Sequence, residues 1–390
     1  MPGTPPIEQQ DPGRAYTKRI RWAGEFQFLA FFLAIAGYGG FGLHHRADEF
    51  ARAFTHNFSL QIALCWLPLW AACEVCVFPV TCYKFYLQRK FGLASAGFLG
   101  WLRDSLKANA LSCLFGGALV EIAFLSLTIF PTFGWVCAGI LYTILFLGIS
   151  RSLPWILSLF YTVVPLGAGS LHERLAQLAS KAGMRAGHIF EWRISGRTRQ
   201  ANALVTGFGA ARRILLTDTL VSALSEEEVE ALVAHEFGHC ALHHVAKRLI
   251  LLGLVFSGIF FCINYAVHKG LVWFAGDNLA WTDLNLLPGF FLYWTCGRVY
   301  GNILVASLSR KQERAADLYS WKLIGRAGPF ITAMRKLSNL NLIVFDKGSE
   351  WRFMHPPTGD RIAAAEHFAR ENTETPAVNE APVAAGYVSD

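Results

Sequence analysis

The stretch SEEEVEALVAHEFGHCALHHVAKRLILLGLVFSGIFFCINYA, residues 225–266, decides the fold, because a polar helical segment in it leads directly into an apolar one. Ser225 is a favourable helix N-cap, and Glu228 follows at the spacing of a capping box, which predicts one long helix over residues 225–248. Residues 249–266 are almost entirely apolar and approach the roughly 20 residues that cross a bilayer. The sequence therefore places a polar helix at the edge of a membrane.

The polar helix contains the segment HEFGH, in which His235 and His239 stand at positions i and i+4. Side chains at this spacing lie on one helical face, so both imidazoles can reach a single Zn²⁺. Glu236 lies beside them and can take a proton from water at the metal. The segment therefore predicts a catalytic site with one zinc ion per chain.

A catalytic zinc site needs a third protein ligand and keeps one position for water. His243 lies a further turn along the helix, so we expect it to be an outer neighbour of the site or simply exposed. Leu242 and Val245 exclude the longer H-E-x-x-H-x-x-G-x-x-H motif, because they occupy its glycine and histidine positions. Glu313 and Asp317 share one face of a second helical segment. One of the two carboxylates can bind the metal while the other orients a ligand imidazole.

The composition of the 390-residue chain excludes an ordinary soluble protein. Hydrophobic residues make up 53% and charged residues 16%, whereas a soluble domain carries about 25% charged residues. The net charge of +7 is not concentrated on a polar domain, so we assign it to membrane orientation and expect no nucleic-acid partner. Most of the nine cysteines lie in apolar stretches, which favours buried thiols over a disulfide framework.

Apolar stretches predict six membrane-spanning segments, so a lipid bilayer is an expected partner of the chain. They cover residues 22–43, 60–83, 108–130, 135–164, 249–266 and 286–308, and Pro154 interrupts the fourth. The basic leader 1–21 and the other basic segments then fall on one side, which is the cytoplasmic side by the positive-inside rule. The polar segments 165–248 and 309–370 share that side and can build one catalytic domain, while residues 371–390 are typical of a disordered tail.

Within the first polar segment, sequence periodicity predicts a helix over residues 169–182 and strands over 189–194, 203–208 and 214–216. The predicted fold class is therefore mainly α: a polytopic helical membrane bundle with a small α+β zincin-like catalytic domain. Ionisable residues inside the spans are expected to face the bundle interior, and for Arg151 and His268 snorkelling to the interface is an equal alternative. The groups are Glu74 with Glu121, Arg151 with His268, and Arg298.

The chain resembles the integral-membrane CAAX prenyl proteases and their bacterial relatives, in blocks that follow the family's order. HEFGH matches the family's zinc motif, and SRKQERAAD, residues 309–317, matches its S-R-x-x-E-x-x-A-D pattern. Residues 165–171 resemble the start of its catalytic domain. Further matches are Asn202 and Ala203 with residues 207–208 and 213–220, the block His355, Pro356, Pro357 and Arg361, and, more weakly, Phe91, Gly92, Asp104 and Lys107.

The resemblance implies roles for two pairs of residues. Glu313 is the third zinc ligand by this comparison, and Asp317 supports a ligand from outside the coordination shell. Asn202 and Ala203 lie on an edge strand that binds the substrate backbone by β-augmentation, in which an extended peptide supplies the missing ladder hydrogen bonds. The alternative for Asn202 is that it only terminates a turn.

The resemblance also implies that His355 stabilises the oxyanion of the tetrahedral intermediate and that Arg361 holds either the substrate or His355. The alternative for His355, which precedes two prolines, is a rigid surface corner. The function implied is a zinc metalloendopeptidase that hydrolyses peptides or membrane-associated proteins, with prenylated CAAX-type substrates as one option. The location implied is a bacterial inner membrane or the endoplasmic reticulum, with the active site on the cytoplasmic side.

Other functions remain open at this point. The family's eukaryotic members are longer and have seven spans, so a general membrane quality-control protease without prenyl specificity is one alternative. A non-catalytic zinc-binding membrane protein is another, and it would close the site with a fourth ligand, either His243 or His355. A transporter is weakly suggested by the charges within the spans, but no inverted repeat is visible.

Overall fold

The computed structural model describes residues 12–184, 189–206, 213–271, 280–342 and 354–374. Residues 1–11 of the predicted leader and 375–390 of the predicted tail lie outside this part of the chain. The first helix, α1, begins at Pro12, so the basic end of the leader belongs to the first membrane helix. Residues 371–374 complete the last helix instead of belonging to a tail.

The described membrane part is built from long apolar helices and short connections. Its elements are α1 (Pro12–Gly40), α2 (Leu43–Phe54), α3 (Phe58–Lys90), α4 (Phe98–Ile129), α5 (Gly134–Arg151), α6 (Leu153–Ser158), α10 (His244–His268) and α11 (Leu287–Ile324). Five of these, α1, α3, α4, α5 and α10, are long and apolar enough to cross a membrane. The sixth predicted span, residues 286–308, forms the first half of α11, which is not among the five.

The described catalytic part lies in two stretches of the chain, before α10 and from the second half of α11 onwards. Its elements are β1 (Thr162–Pro165), α7 (Ser170–Lys181), β2 (Ile189–Arg193), β3 (Ala203–Thr206), β4 (Arg213–Thr217), α8 (Asp218–Ala223), α9 (Glu226–Ala241), α12 (Gly328–Asn341) and α13 (Thr358–Glu374). Separate hydrophobic cores fill the two parts, one around Phe124 and Phe260 and the other around Leu216 and Phe330. This architecture confirms the predicted fold class.

Four strands form one sheet in the order β1-β2-β4-β3. β2 and β4 are parallel, and β1 and β3 pair antiparallel with them at the two edges. The sequence prediction placed residues 162–164 in the fourth span, which was wrong: the helix there ends at Arg151, and Thr162–Pro165 is the strand β1. The predicted edge strand is β3, and it begins at Ala203 directly after Asn202.

The predicted continuous helix over residues 225–248 is broken. The helix α9 ends at Ala241, and α10 starts at His244 after His243 adopts a left-handed backbone conformation with φ of 53°. This single residue turns the chain from the catalytic domain into the membrane. It also leaves His243 exposed, as predicted, and turns the next residue, His244, back into the protein interior.

The sheet is fixed to the bundle by the loop that follows α3. Backbone hydrogen bonds join this loop to the segment after β2, from Ser95 N to Arg197 O at 2.9 Å and from Arg199 N to Leu93 O at 2.9 Å. Arg197 also forms an ion pair of 2.9 Å with Asp104 on α4. Asp104, one of the residues in the weaker sequence match, therefore joins α4 to the segment after β2.

Candidate active site

The helix α9 carries the HEFGH segment and is anchored firmly at its start. The predicted capping box is present: Ser225 Oγ accepts from Glu228 N, and the Glu228 carboxylate accepts from Ser225 N at 2.8 Å. Glu228 also accepts a hydrogen bond from Lys336 on α12 at 2.8 Å. These contacts hold the first turn of α9, so the position of His235 two turns later is well defined.

A glycine sets the distance between α9 and α11. A Cβ atom on Gly238 would lie 2.9 Å from the Cα of Ala316 on α11, closer than real Cβ atoms approach. Only a glycine at this position therefore lets the two helix backbones meet. Their contact brings Glu313, on α11, against the two histidines of α9.

His235, His239 and Glu313 direct ligand atoms toward one point. The two Nε2 atoms of His235 and His239 are 3.2 Å apart. The carboxylate of Glu313 lies 3.3 Å from His235 Nε2 and 3.4 Å from His239 Nε2. One ligand atom from each residue lies within 4.8 Å of the others. The structure thus brings together, from two chain segments, the three residues singled out as metal ligands.

The hydrogen bonds behind the two imidazoles fit a bound cation. His235 Nδ1 lies 2.8 Å from Asp317, so this nitrogen carries the proton and Nε2 keeps its lone pair. His239 Nδ1 lies 2.9 Å from His244 Nδ1, and when His239 donates in this contact its Nε2 keeps a lone pair too. Two facing lone pairs and a carboxylate repel one another unless a cation lies between them. The Oε2 atom of Glu313, buried and without a hydrogen bond of suitable geometry in the described residues, completes a donor set that suits zinc.

Charge at the site also favours a cation. Burial raises the pKa of Glu313, but its close contacts with the imidazoles of His235, His239 and His355 outweigh burial and hold the pKa below its usual range. Burial likewise raises the pKa of Asp317, and Arg361 and His235 overcome this effect and lower it. Both carboxylates are therefore ionised, and within the described residues Arg361 is the permanent cation in contact with them. The site keeps an excess of negative charge that a divalent cation neutralises.

Arg361 has a different neighbour from the one expected. It was predicted to hold either the substrate or His355, but its guanidinium donates to both oxygens of Asp317, at 2.6 and 2.8 Å. Its side chain is 10% exposed. The physical reason is that Asp317 is buried and needs a cationic partner. No sequence pattern predicts this pairing, because the two residues are far apart along the chain.

Glu236 faces the edge of the sheet. Its carboxylate accepts a hydrogen bond of 3.4 Å from Val205 N, so this N–H of β3 points away from β4 and toward the site. Backbone groups of an antiparallel strand alternate in direction, so Ala203 presents its N–H and C=O on the same free edge. Asn341 on α12 holds the start of this edge through both side-chain atoms, accepting from Ala201 N at 2.8 Å and donating to Ala201 O at 3.0 Å.

A cavity of about 190 Å³ joins these groups. It opens between the β3 edge and α12, and its apolar wall consists of Leu232, Met334 and Leu337. The predicted residues that line it are Asn202, Ala203, His235, Glu236, Glu313, His355 and Arg361. His355 has a side chain that is 59% exposed, and its Nδ1 lies 2.9 Å from Glu313. Sequence reasoning missed the supporting residues His244, Val205 and Asn341, whose roles depend on backbone turns and tertiary contacts.

Comparison with known proteins agrees with this geometry. The model for Peptidase family M48 matches residues 165–369. CAAX prenyl protease 1 of Saccharomyces cerevisiae is 26% identical over 332 residues, which cover 79% of this chain and 73% of the yeast protein. The uncharacterized metalloprotease YhfN of Bacillus subtilis is 28% identical over 217 residues, 53% of this chain and 50% of that protein. The crystal structure of S. mikatae Ste24p has the same fold, with a TM-score of 0.77 at 24% identity over 93% of this chain and 91% of that one.

The family match covers more than half of the chain and includes both segments that form the metal-binding geometry. The expected family, the membrane-embedded fold and the enzyme class are thereby confirmed. A peptide or protein is the substrate that this class of enzyme acts on, and the apolar helices agree with a multi-pass membrane protein. The chain belongs to peptidase family M48 and is a membrane zinc metallopeptidase.

Proposed function

We propose that His235, His239 and Glu313 bind one Zn²⁺ and that Glu236 is the catalytic base of an endopeptidase. The observation that carries the proposal is the convergence of the three ligand atoms within 4.8 Å. When bound there, Zn²⁺ supplies Lewis-acid polarisation and lowers the pKa of water to about 7. Glu236 takes the proton of the attacking water and returns it to the leaving amine.

The supporting residues fix the tautomers and positions of the ligands. Asp317 accepts from His235 Nδ1, and Arg361 holds Asp317 in place. Contacts of this kind raise the basicity of a ligand imidazole and fix its ring orientation. His355 lies at the rim of the cavity, beside Glu313, where it can donate to the developing oxyanion of the substrate carbonyl.

The β3 edge supports a peptide in extended conformation. The N–H of Val205 and the free edge of Ala203 can pair with an added strand, with Asn202 at the start of that edge. A strand bound there passes over Glu236 and the metal ligands. Since α9 continues through His243 into a membrane helix, we propose that the substrates are peptides or proteins at the bilayer surface, and that prenylated ones are among them.

We also propose that the catalytic domain faces the cytoplasm. The basic ends of α1 and α3 lie on the same side as the catalytic domain: Thr17 Oγ1 on α1 donates to Leu342 O at 3.1 Å, just after α12. Cationic residues at helix ends are retained on the cytoplasmic side of membranes. In a bacterium the membrane would be the inner membrane, and in a eukaryote that of the endoplasmic reticulum.

The decisive experiment compares the wild type with Glu236→Gln in zinc content and in hydrolysis of one peptide, prepared with and without a farnesyl group. We expect Glu236→Gln to keep one zinc per chain and to lose about 10² to 10⁴-fold in rate. Glu227→Gln, the same change on an exposed part of α9, is the matched control and should cleave normally. Cleavage of the unmodified peptide alone would favour a general protease, and a zinc-loaded wild type inactive on both peptides would favour the non-catalytic alternative.

A further inference from the structure

A groove between α1 and α3 lies outside the active site and is used by none of the steps above. Its volume is about 600 Å³, the order of a small-molecule site. Apolar and aromatic side chains line most of it. The residues lining it are Ala15, Lys18, Arg19, Trp22, Ala23, Phe26, Pro79, Val80 and Tyr83.

Charge is confined to one end of this α1–α3 groove. Lys18 and Arg19 lie near the start of α1, while Phe26 and Pro79 mark the apolar end. Tyr83, toward the C-terminal end of α3, lies near the charged end because the two helices run antiparallel: Tyr16 packs against Phe91 with ring centroids 5.5 Å apart. The groove is therefore a cationic pocket that continues into an apolar channel.

The groove has the depth of one lipid leaflet. From Ala15 to Phe26 a helix rises roughly 16 Å at 1.5 Å per residue, about half of the ~30 Å hydrocarbon core. Trp22 is 55% exposed and Phe26 is 59% exposed, so both face the surroundings of the bundle. An aromatic residue beside cations, one turn above apolar side chains, is the arrangement found where a membrane helix crosses the headgroup region.

We propose that the α1–α3 groove is a binding site for one anionic phospholipid. The phosphate contacts Lys18 and Arg19, and one acyl chain lies along Ala23, Phe26 and Val80. The choice of an anionic lipid follows from charge complementarity, because two cations border the headgroup end and no acidic side chain lines the groove within the described residues. A zwitterionic headgroup would bring its own cation toward Lys18 and Arg19.

The groove lies beside the contact between α1 and the catalytic domain, so a bound lipid can stabilise that contact. One turn from the cations, Tyr16 packs with Leu87 and Leu93, and Thr17 donates to Leu342 O at 3.1 Å. Leu342 follows the residue that clamps the β3 edge. A lipid that bridges α1 and α3 therefore stabilises the contact on which the catalytic domain rests.

The test uses the full-length protein, purified in a non-ionic detergent and stripped of lipid. Phosphatidylglycerol and phosphatidylcholine with identical acyl chains are titrated separately, and retained lipid is counted by native mass spectrometry while Tm is followed. We expect phosphatidylglycerol alone to be retained and to raise Tm. Lys18→Gln with Arg19→Gln should weaken its binding by roughly fivefold in Kd for each cation removed.

Three controls keep the result interpretable. Arg46→Gln removes an exposed arginine of α2, away from the groove, and should leave lipid binding unchanged. Val80→Trp fills the apolar channel with both cations retained and should weaken binding, even if the double variant does not fold. Inorganic phosphate alone should not raise Tm. Equal retention of the two lipids, full retention by either groove variant, or a response to phosphate matching that to lipid would each overturn the proposal.

Discussion

Replacing Asp317 with asparagine tests whether the second carboxylate of α11 controls metal binding without touching the metal. The carboxylate accepts from His235 Nδ1 at 2.8 Å and from Arg361 at 2.6 and 2.8 Å. Asparagine keeps the shape, and its oxygen can still accept from one of these donors. Its amide must then face the other, so either His235 loses its fixed tautomer or the buried Arg361 loses its charged partner.

The expected magnitude follows from those contacts. Removing the outer partner of a metal-bound imidazole typically weakens metal affinity by about 10 to 100-fold, which corresponds to roughly 1.4 to 2.7 kcal/mol. Arg361 also becomes a buried cation without its main partner, which can cost about 3 to 5 kcal/mol of folding stability. We therefore expect Asp317→Asn to have a lower Tm, a weaker zinc affinity, and a peptidase rate that recovers in part when zinc is added.

The assay is a competition titration with a zinc chelator, run beside thermal unfolding. Asp218→Asn is the matched control: Asp218 also accepts several hydrogen bonds, from the N–H groups of Ile194, Ser195 and Thr219, but it lies away from the ligands. It should lower Tm while leaving zinc affinity unchanged. Wild-type zinc affinity in Asp317→Asn, or an equal loss of affinity in both variants, would refute this role of Asp317.

Three further outcomes are expected. Gly238→Ala should separate α9 from α11, because its Cβ would lie 2.9 Å from Ala316 Cα. We expect a loss of about 1 to 3 kcal/mol in the free energy of unfolding together with a reduced zinc content. A normal zinc content would show that the close approach of the two helices is not needed for metal binding. Burial raises the pKa of Glu228, but hydrogen bonds from Lys336, Ser225 N and Thr332 outweigh burial and lower the pKa in the folded state. The stabilisation from the ionised Glu228 is therefore present above the unfolded pKa of about 4.3 and is lost as the pH falls through the lower folded pKa. The Tm deficit of Glu228→Gln should therefore be full at neutral pH and shrink in acid, and a constant deficit would exclude this origin. Chelation of zinc should lower Tm, because zinc binds the folded state and not the unfolded chain. Thermal scans with and without added zinc measure this change, and an unchanged Tm would contradict zinc binding to the folded protein.

Part of the metal geometry could be predicted from sequence because that part depends on local regularity. The i, i+4 spacing places His235 and His239 on one face of any helix, and the same spacing keeps Glu313 and Asp317 together. The capping box of Ser225 was also predictable, since both of its partners lie within three residues. The roles of these residues in zinc binding and catalysis stay predictions until they are measured.

The remaining features depend on contacts that sequence periodicity does not encode. Residues 162–165 are apolar in either a helix or a strand, and pairing with β2 decides that they are a strand. His243 takes a left-handed conformation because the chain must turn there, not because histidine favours it. The pairing of Arg361 with Asp317 joins residues 44 positions apart, and only the packing of α13 on α11 brings them together.

The hydrogen bond from Val205 N to Glu236 holds this carboxylate against the free edge of β3. The same N–H is the rung that a newly added strand would use, so the incoming backbone and the carboxylate compete for one donor. On the proposed function, a strand that pairs with β3 takes this N–H and frees the Glu236 carboxylate to accept a proton from water. Substrate binding and activation of the base would then be one event, and a short peptide that does not pair along the sheet would leave the carboxylate bound to Val205 N.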